Sequence, residues 1–203
     1  MLLLVTGASG AGKSTVRTLV ESRLAPAVEC VELQHLAQVP PTSMTLAWRQ
    51  KAAEVAVRRA IELRTSGRHL LLSGDPVAAA EIAAAPSAPD IDAIAVCLLD
   101  VSPEAQAARL AERGDPPELL PHHQAFAEWM RGQAADPLHM PHVITNDGWA
   151  DMRWERLQEL ATNWHVQTVD TTDMTRTEVA DAVLRWCQHA LTGDVSLPPI
   201  ERP

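Results

Sequence analysis

An ammonium and a hydroxyl stand side by side at Lys13 and Ser14, and six small residues lead into them: Gly7-Ala8-Ser9-Gly10-Ala11-Gly12. The run fits G-x-x-x-x-G-K-[ST], a loop whose chemistry is the holding of phosphate. Glycines let the backbone fold tightly enough for consecutive N–H groups to converge on one anion. A helix starting near Lys13 adds the positive end of its dipole. In this pattern the lysine reaches the β- and γ-phosphates and the hydroxyl is a magnesium ligand. The spacing predicts a site for a nucleoside triphosphate with Mg²⁺, built from Gly7, Ala8, Ser9, Gly10, Ala11, Gly12, Lys13, Ser14 and Thr15.

Such a loop works only between a strand and a helix, and the flanks supply both. Leu2–Thr6 is an apolar strand; from Ser14 to Leu24, Val16, Leu19, Val20 and Leu24 recur at helical spacing. The alternation continues. Residues 29–33 read as a second strand, and a Pro-containing connection, Val39-Pro40-Pro41, leads to a long helix over 45–65 that stops at Gly67. A third strand covers 69–74, with a continuous aliphatic run suited to a buried parallel position. Asp75-Pro76 opens a helix to about Ala85. A fourth strand spans 93–100, and Ser102-Pro103 caps a helix ending before Gly114. Residues 115–150 are least regular, with one helix over 119–134 and a short strand at Val143-Ile144. A helix over 151–161, a fifth strand over 165–169 and a final helix opened by the capping box Thr175-Arg176-Thr177-Glu178 complete the order. This pattern predicts an α/β fold: a three-layer sandwich, with a five-stranded parallel sheet covered by helices on both faces. Residues 1–192 form one domain, and the proline-bearing tail 193–203 is expected to be disordered.

Bulk composition narrows the partners. A net charge of −9 argues against a nucleic-acid surface, which needs a basic stripe. No apolar run approaches a membrane span, and the chain enters its first strand without a basic leader. Cys30, Cys97 and Cys187 are scattered and odd in number, so they read as reduced core thiols of a cytoplasmic protein. The histidines His122, His123, His139 and His142 lack the paired ligand spacing of a zinc site. The third strand and the long helix are a candidate face for a homodimer.

The chain resembles the P-loop kinases, the branch holding nucleoside monophosphate, shikimate and gluconate kinases and antibiotic phosphotransferases. The resemblance rests on the loop at residues 7–14 and on element order over nearly the whole chain. Its nearest local likeness, from Val31-Glu32-Leu33 to Val39-Pro40, is to chloramphenicol phosphotransferase-like enzymes. Asn-Lys-x-Asp, expected of a GTPase, is absent. Leu72-Ser73-Gly74-Asp75-Pro76 breaks the signature of a transporter ATPase, and there is little room for the extra domain of a motor ATPase.

The resemblance implies transfer of the ATP γ-phosphate to a hydroxyl of a small molecule, beneath a helical lid at about 102–150. It places Lys13, Glu32, Arg109 and Arg113 in catalysis. Glu32, ending the second strand, stands where these kinases keep a carboxylate beside the acceptor hydroxyl; many relatives carry Asp there, and Glu29 is the fallback in another register. Asp75 either holds Mg²⁺ through water, contacts substrate or caps a helix. Arg109 and Arg113 lie where relatives place lid arginines, with surface pairing such as Arg109–Glu112 as the structural alternative. Arg131 is a further lid cation. Trp48 and Arg49 would stack on and grip the acceptor, or else pack as a core tryptophan and a snorkelling arginine. Asp170-Thr171-Thr172-Asp173 fits the loop that borders the adenine. The rival readings are a nucleoside or nucleotide kinase, and a nucleotide-dependent switch with no dedicated acceptor.

Overall fold

The computed structural model describes residues 1–37, 44–74, 77–193 and 196–200. Val39-Pro40-Pro41 and Asp75 lie outside the described residues, so the metal and substrate roles read for Asp75 have no geometry here. Strands β1 (Leu2–Thr6), β2 (Val28–Glu32), β3 (His69–Ser73), β4 (Ile94–Asp100) and β5 (Gln167–Asp170) form one sheet in the order β2-β3-β1-β4-β5. Every pairing is parallel. The three central strands are buried on both faces, which is why their sequences are almost unbroken aliphatic runs.

Helices α1 (Lys13–Leu24) and α9 (Arg176–Leu191) cover one face. There Val16 and Val20 meet Val183 and Cys187 over Leu3, Leu71 and Cys97. The opposite face carries α3 (Leu46–Arg64), α4 (Ala79–Ala83), α6 (Leu120–Ala135) and α8 (Arg156–Leu160) over Leu2, Leu4, Leu70 and Leu72. Short α2 (Leu33–Leu36) follows β2, α5 (Pro103–Arg113) follows β4, and α7 (His142–Thr145) follows α6.

Local chemistry sets the ends. The Thr45 hydroxyl accepts from Trp48 N–H at 3.1 Å to start α3, and Ser102 accepts from Ala105 N–H at 3.2 Å to start α5. Gly114 closes α5 at φ 83°. The capping box of α9 forms as expected, with Thr175 N–H donating to Glu178 at 2.8 Å.

Three expectations are corrected. Val143-Ile144 is not a strand but lies in α7, because Pro141 stands before the turn and the Ile144 side chain is buried against the sheet face. The helix expected over 151–161 shrinks to α8, extended by a 3₁₀ turn. The described part of the tail packs on the core: Leu197 is 3% exposed and its N–H donates to Ile94 O at 2.7 Å. An apolar side chain with a sheet-side acceptor outweighs the helix-breaking prolines around it. β3 lies inside the sheet with residues 70–73 buried, while α3 carries exposed residues.

Candidate phosphate-transfer site

The loop after β1 lies at the carboxyl ends of the strands, between β3 and β4. Gly7 is obligatory by crowding: a Cβ there would sit 2.4 Å from Leu99 O. Gly12, the residue before α1, has φ 97° and open space around its missing Cβ. No side chain caps α1, so its first N–H groups are not tied down by a local hydroxyl or carboxylate. Lys13 is 8% exposed, and its ammonium donates to Ala8 O at 2.9 Å, folded over the loop.

Glu32 lies 7% exposed at the end of β2 and accepts from Ser14 Oγ and from Gln34 Nε2, the latter at 2.9 Å. Arg17 Nε stands 3.6 Å from its carboxylate. Gly74, at φ 96°, lets the chain pass: a Cβ there would come within 3.0 Å of Glu32 Cβ. Burial pushes the Glu32 carboxyl upward, but the Ser14 hydroxyl, Arg17, Gln34 and His35 together outweigh it and hold the group below its ordinary value. It is therefore ionised at neutral pH. Ser73, the partner of Glu32 across the two strands, is 1% exposed, and its hydroxyl has no hydrogen-bond partner.

The cations expected over the site are all engaged. Arg109 donates to Thr171 Oγ1 at 2.9 Å, to Gly10 O and Thr172 O at 3.4 Å each, and to Thr171 O. It thus joins the phosphate loop to the segment after β5. Arg113 is paired with Asp115, and Arg131 donates to Asp100 at 2.9 Å. On the other side of the sheet, Arg49 gives two hydrogen bonds, at 3.0 and 2.8 Å, to a fully buried Glu81. That carboxylate also accepts from Ala78 N–H at 2.9 Å and Gln50 Nε2 at 3.4 Å. Gln50 reaches on to Ile144 O and Trp149 N–H, at 2.6 Å each, tying the segment after α6 to α3. Trp48 is half-buried, packed against the core. Glu29 is held by Arg59 away from the site's hydroxyls, which leaves Glu32 as the carboxylate beside Ser14.

These residues fit a magnesium nucleotide. The Gly12 turn leaves space where a side chain would stand, and the α1 amides and Lys13 are donors for phosphate oxygen. Ser14, Glu32 and the orphaned Ser73 hydroxyl are the oxygen ligands a hard cation prefers, directly or through water. Among the described residues no three His, Cys, Asp or Glu side chains are grouped to hold a metal. A magnesium ion here would draw on phosphate oxygens for the rest of its shell.

Gln106, Ser73, Glu81 and Gln50 escaped the sequence reading. None belongs to a short motif; only a buried polar residue on an apolar helix face or strand end marks them.

No protein family matches the chain, and no curated protein does. Solved structures do. A sugar kinase from a Janibacter species superposes with a TM-score of 0.59 over 92% of this chain and 94% of its own, at 14% identity. A gluconokinase from Sinorhizobium meliloti gives 0.55 over 94% and 95%, at 18% identity. An uncharacterized protein from Eubacterium ventriosum gives 0.52 over 93% and 98%, at 8% identity. The fold is that of the P-loop kinases. Among the described residues no helix is long and apolar enough to cross a membrane.

Proposed function

We propose that the protein is an ATP- and Mg²⁺-dependent kinase that transfers a phosphoryl group to a hydroxyl of a small molecule: a metabolite, sugar or antibiotic. The observation that carries this reading is the ionised carboxylate of Glu32 set against Ser14 Oγ, one residue from Lys13, at the carboxyl end of the sheet. Bound MgATP supplies the phosphoryl group and neutralises charge on it. The loop amides and Lys13 hold the phosphate oxygens, which requires the Lys13 ammonium to leave Ala8 O. Ser14 turns its hydroxyl oxygen to the cation and so releases its hydrogen bond to Glu32. Glu32 would then accept a hydrogen bond from the acceptor hydroxyl, orient its oxygen for in-line attack and take its proton as the new P–O bond forms and the bond from the γ-phosphorus to the ADP oxygen breaks, ADP leaving. A carboxylate held below its ordinary pKa is a weak base, so its main part is orientation, with proton transfer late. Arg109 adds positive charge at the loop's rim. Arg113 and Arg131 can reach the phosphates as lid cations only by exchanging Asp115 and Asp100 for them.

The reading as a nucleotide kinase needs Arg49 as a phosphate clamp. That guanidinium is held by buried Glu81, which favours a hydroxylated small molecule without a phosphate. The test is incubation with MgATP and separate panels of sugars, other hydroxylated metabolites, antibiotics, nucleosides and nucleotides, read by mass spectrometry. A mass gain of one phosphoryl group in a sugar, metabolite or antibiotic is expected. Phosphorylation of nucleotides alone would give the site to the rival kinase, and slow hydrolysis with no acceptor would give it to a switch.

A further inference from the structure

We infer that Gln106 is a positioning residue that sets the phosphate loop from outside, with Arg109 as its neighbour in the task. The inference rests on the nucleotide site proposed above. Gln106 lies in the middle of α5 and is 1% exposed. Its amide nitrogen donates to Ser9 O at 2.8 Å and reaches His123 O, in α6, at 3.4 Å. One turn along, Arg109 Nη1 reaches Gly10 O at 3.4 Å. Two neighbouring carbonyls of the loop are therefore held by two side chains of the same helix face.

The consequence follows from peptide planarity. In a trans peptide the C=O of one residue and the N–H of the next point in opposite directions. Holding Ser9 O towards α5 turns Gly10 N–H away from α5. The amide is fixed before any phosphate arrives. The loop alone cannot ensure this, because its glycines make peptide flips cheap. Gly10 carries no Cβ, and one built there would lie 3.4 Å from Gln106 Cγ and 3.5 Å from Leu110, so the loop and α5 are in van der Waals contact. The second reach of Gln106, to α6, makes the same amide the junction between the loop and the lid helix.

A glutamine is suited to this because only its NH₂ group donates. Gln106→Met keeps the bulk and removes both donors. Gln106→Glu keeps the shape and presents a carboxylate to Ser9 O until it is protonated. MgATP binding by wild type and both variants, measured by calorimetry with no acceptor present, tests the role. The expected result is a Kd weakened about tenfold by Gln106→Met and more by Gln106→Glu. Lowering the pH should restore binding in Gln106→Glu relative to wild type. In turnover, the KM for ATP should rise while the KM for the acceptor stays unchanged. A thermal melt of each variant separates this from loss of fold, and the pH rescue in Gln106→Glu is a readout that mere packing would not give. Equal MgATP affinity in wild type and both variants overturns the role of Gln106 alone. Wild-type protein that binds no MgATP overturns the reading of the site itself.

Discussion

Around residues 7–14 the holding contacts run to backbone carbonyls, whereas across 102–150 two of them are arginine–carboxylate pairs. The loop is fixed by Gly7 against Leu99 O and by Gln106 on Ser9 O, with the Lys13 ammonium resting on Ala8 O. Residues 102–150 are pinned by Arg113–Asp115 and Arg131–Asp100, and are tied to α3 beside Arg49–Glu81. The Gly7 packing and the Gln106 amide on Ser9 O carry no charge for an anion to displace, so they can persist when phosphate arrives. Ion pairs can trade a carboxylate for a phosphate at little net cost, so the exposed pairs are suited to a part that moves. Arg113, 54% exposed at its side chain, belongs to that kind; Glu81, fully buried, does not. The contacts thus divide into a fixed half around the loop and an exchangeable half at Arg113 and Arg131.

The largest effect expected falls on the fixed half. Lys13→Ala should lower kcat/KM by about 10³-fold, measured by coupled ATP turnover with the acceptor. Glu32→Gln should lower kcat by about 10²-fold while calorimetry shows ATP affinity preserved. Unchanged turnover would remove Glu32 from the chemistry. Gly7→Ala should cost about 2 kcal/mol of stability in denaturant melts, because the added methyl meets Leu99 O; no loss would mean the loop is not rigid there.

Acid should act more weakly. Glu29 and Glu32 are both held below their ordinary value of 4.5, Glu29 by its Arg59 hydrogen bonds and Glu32 by Ser14 and Arg17 against burial. Their folded pKa values are depressed, so the stability they contribute is present above pH 4.5 and is lost as pH falls through the folded values. A Tm lower by a few degrees below that pH is expected. The smallest effect is that of salt. Amides at 113–123 should exchange hydrogen faster at high ionic strength while those at 8–12 do not. Equal acceleration in both would erase the contrast.

The fixed half was also the legible half. Strand, glycine loop and helix are consecutive, so residues 2–24 carry their own evidence, and the observed β1 and α1 match it within a residue. The five-stranded parallel sheet followed from the alternation of strand and helix, because parallel strands buried on both faces read as aliphatic runs, whereas the strand order came only with the structure. The rest depends on residues distant in sequence. Nothing near Arg49 announces Glu81, and nothing near Ser9 announces Gln106. Arg109 was read as a cation over phosphates, but the structure directs its N–H groups at backbone carbonyls. Val143-Ile144 looked like a strand from β-branching, yet a buried docking site and a preceding proline made it a helix. Pattern reports a residue's own element well and its distant partner poorly.

The most direct test is a crystal structure with Mg²⁺ and a non-hydrolysable ATP analogue. Expected are phosphate oxygens at the Gly10 and Lys13 amides, Lys13 Nζ moved from Ala8 O onto phosphate, Ser14 on the cation, and Glu32 facing the γ-phosphate across open space for an acceptor. A nucleotide bound elsewhere, or a Lys13 still folded on Ala8 O with the analogue in place, would contradict this arrangement.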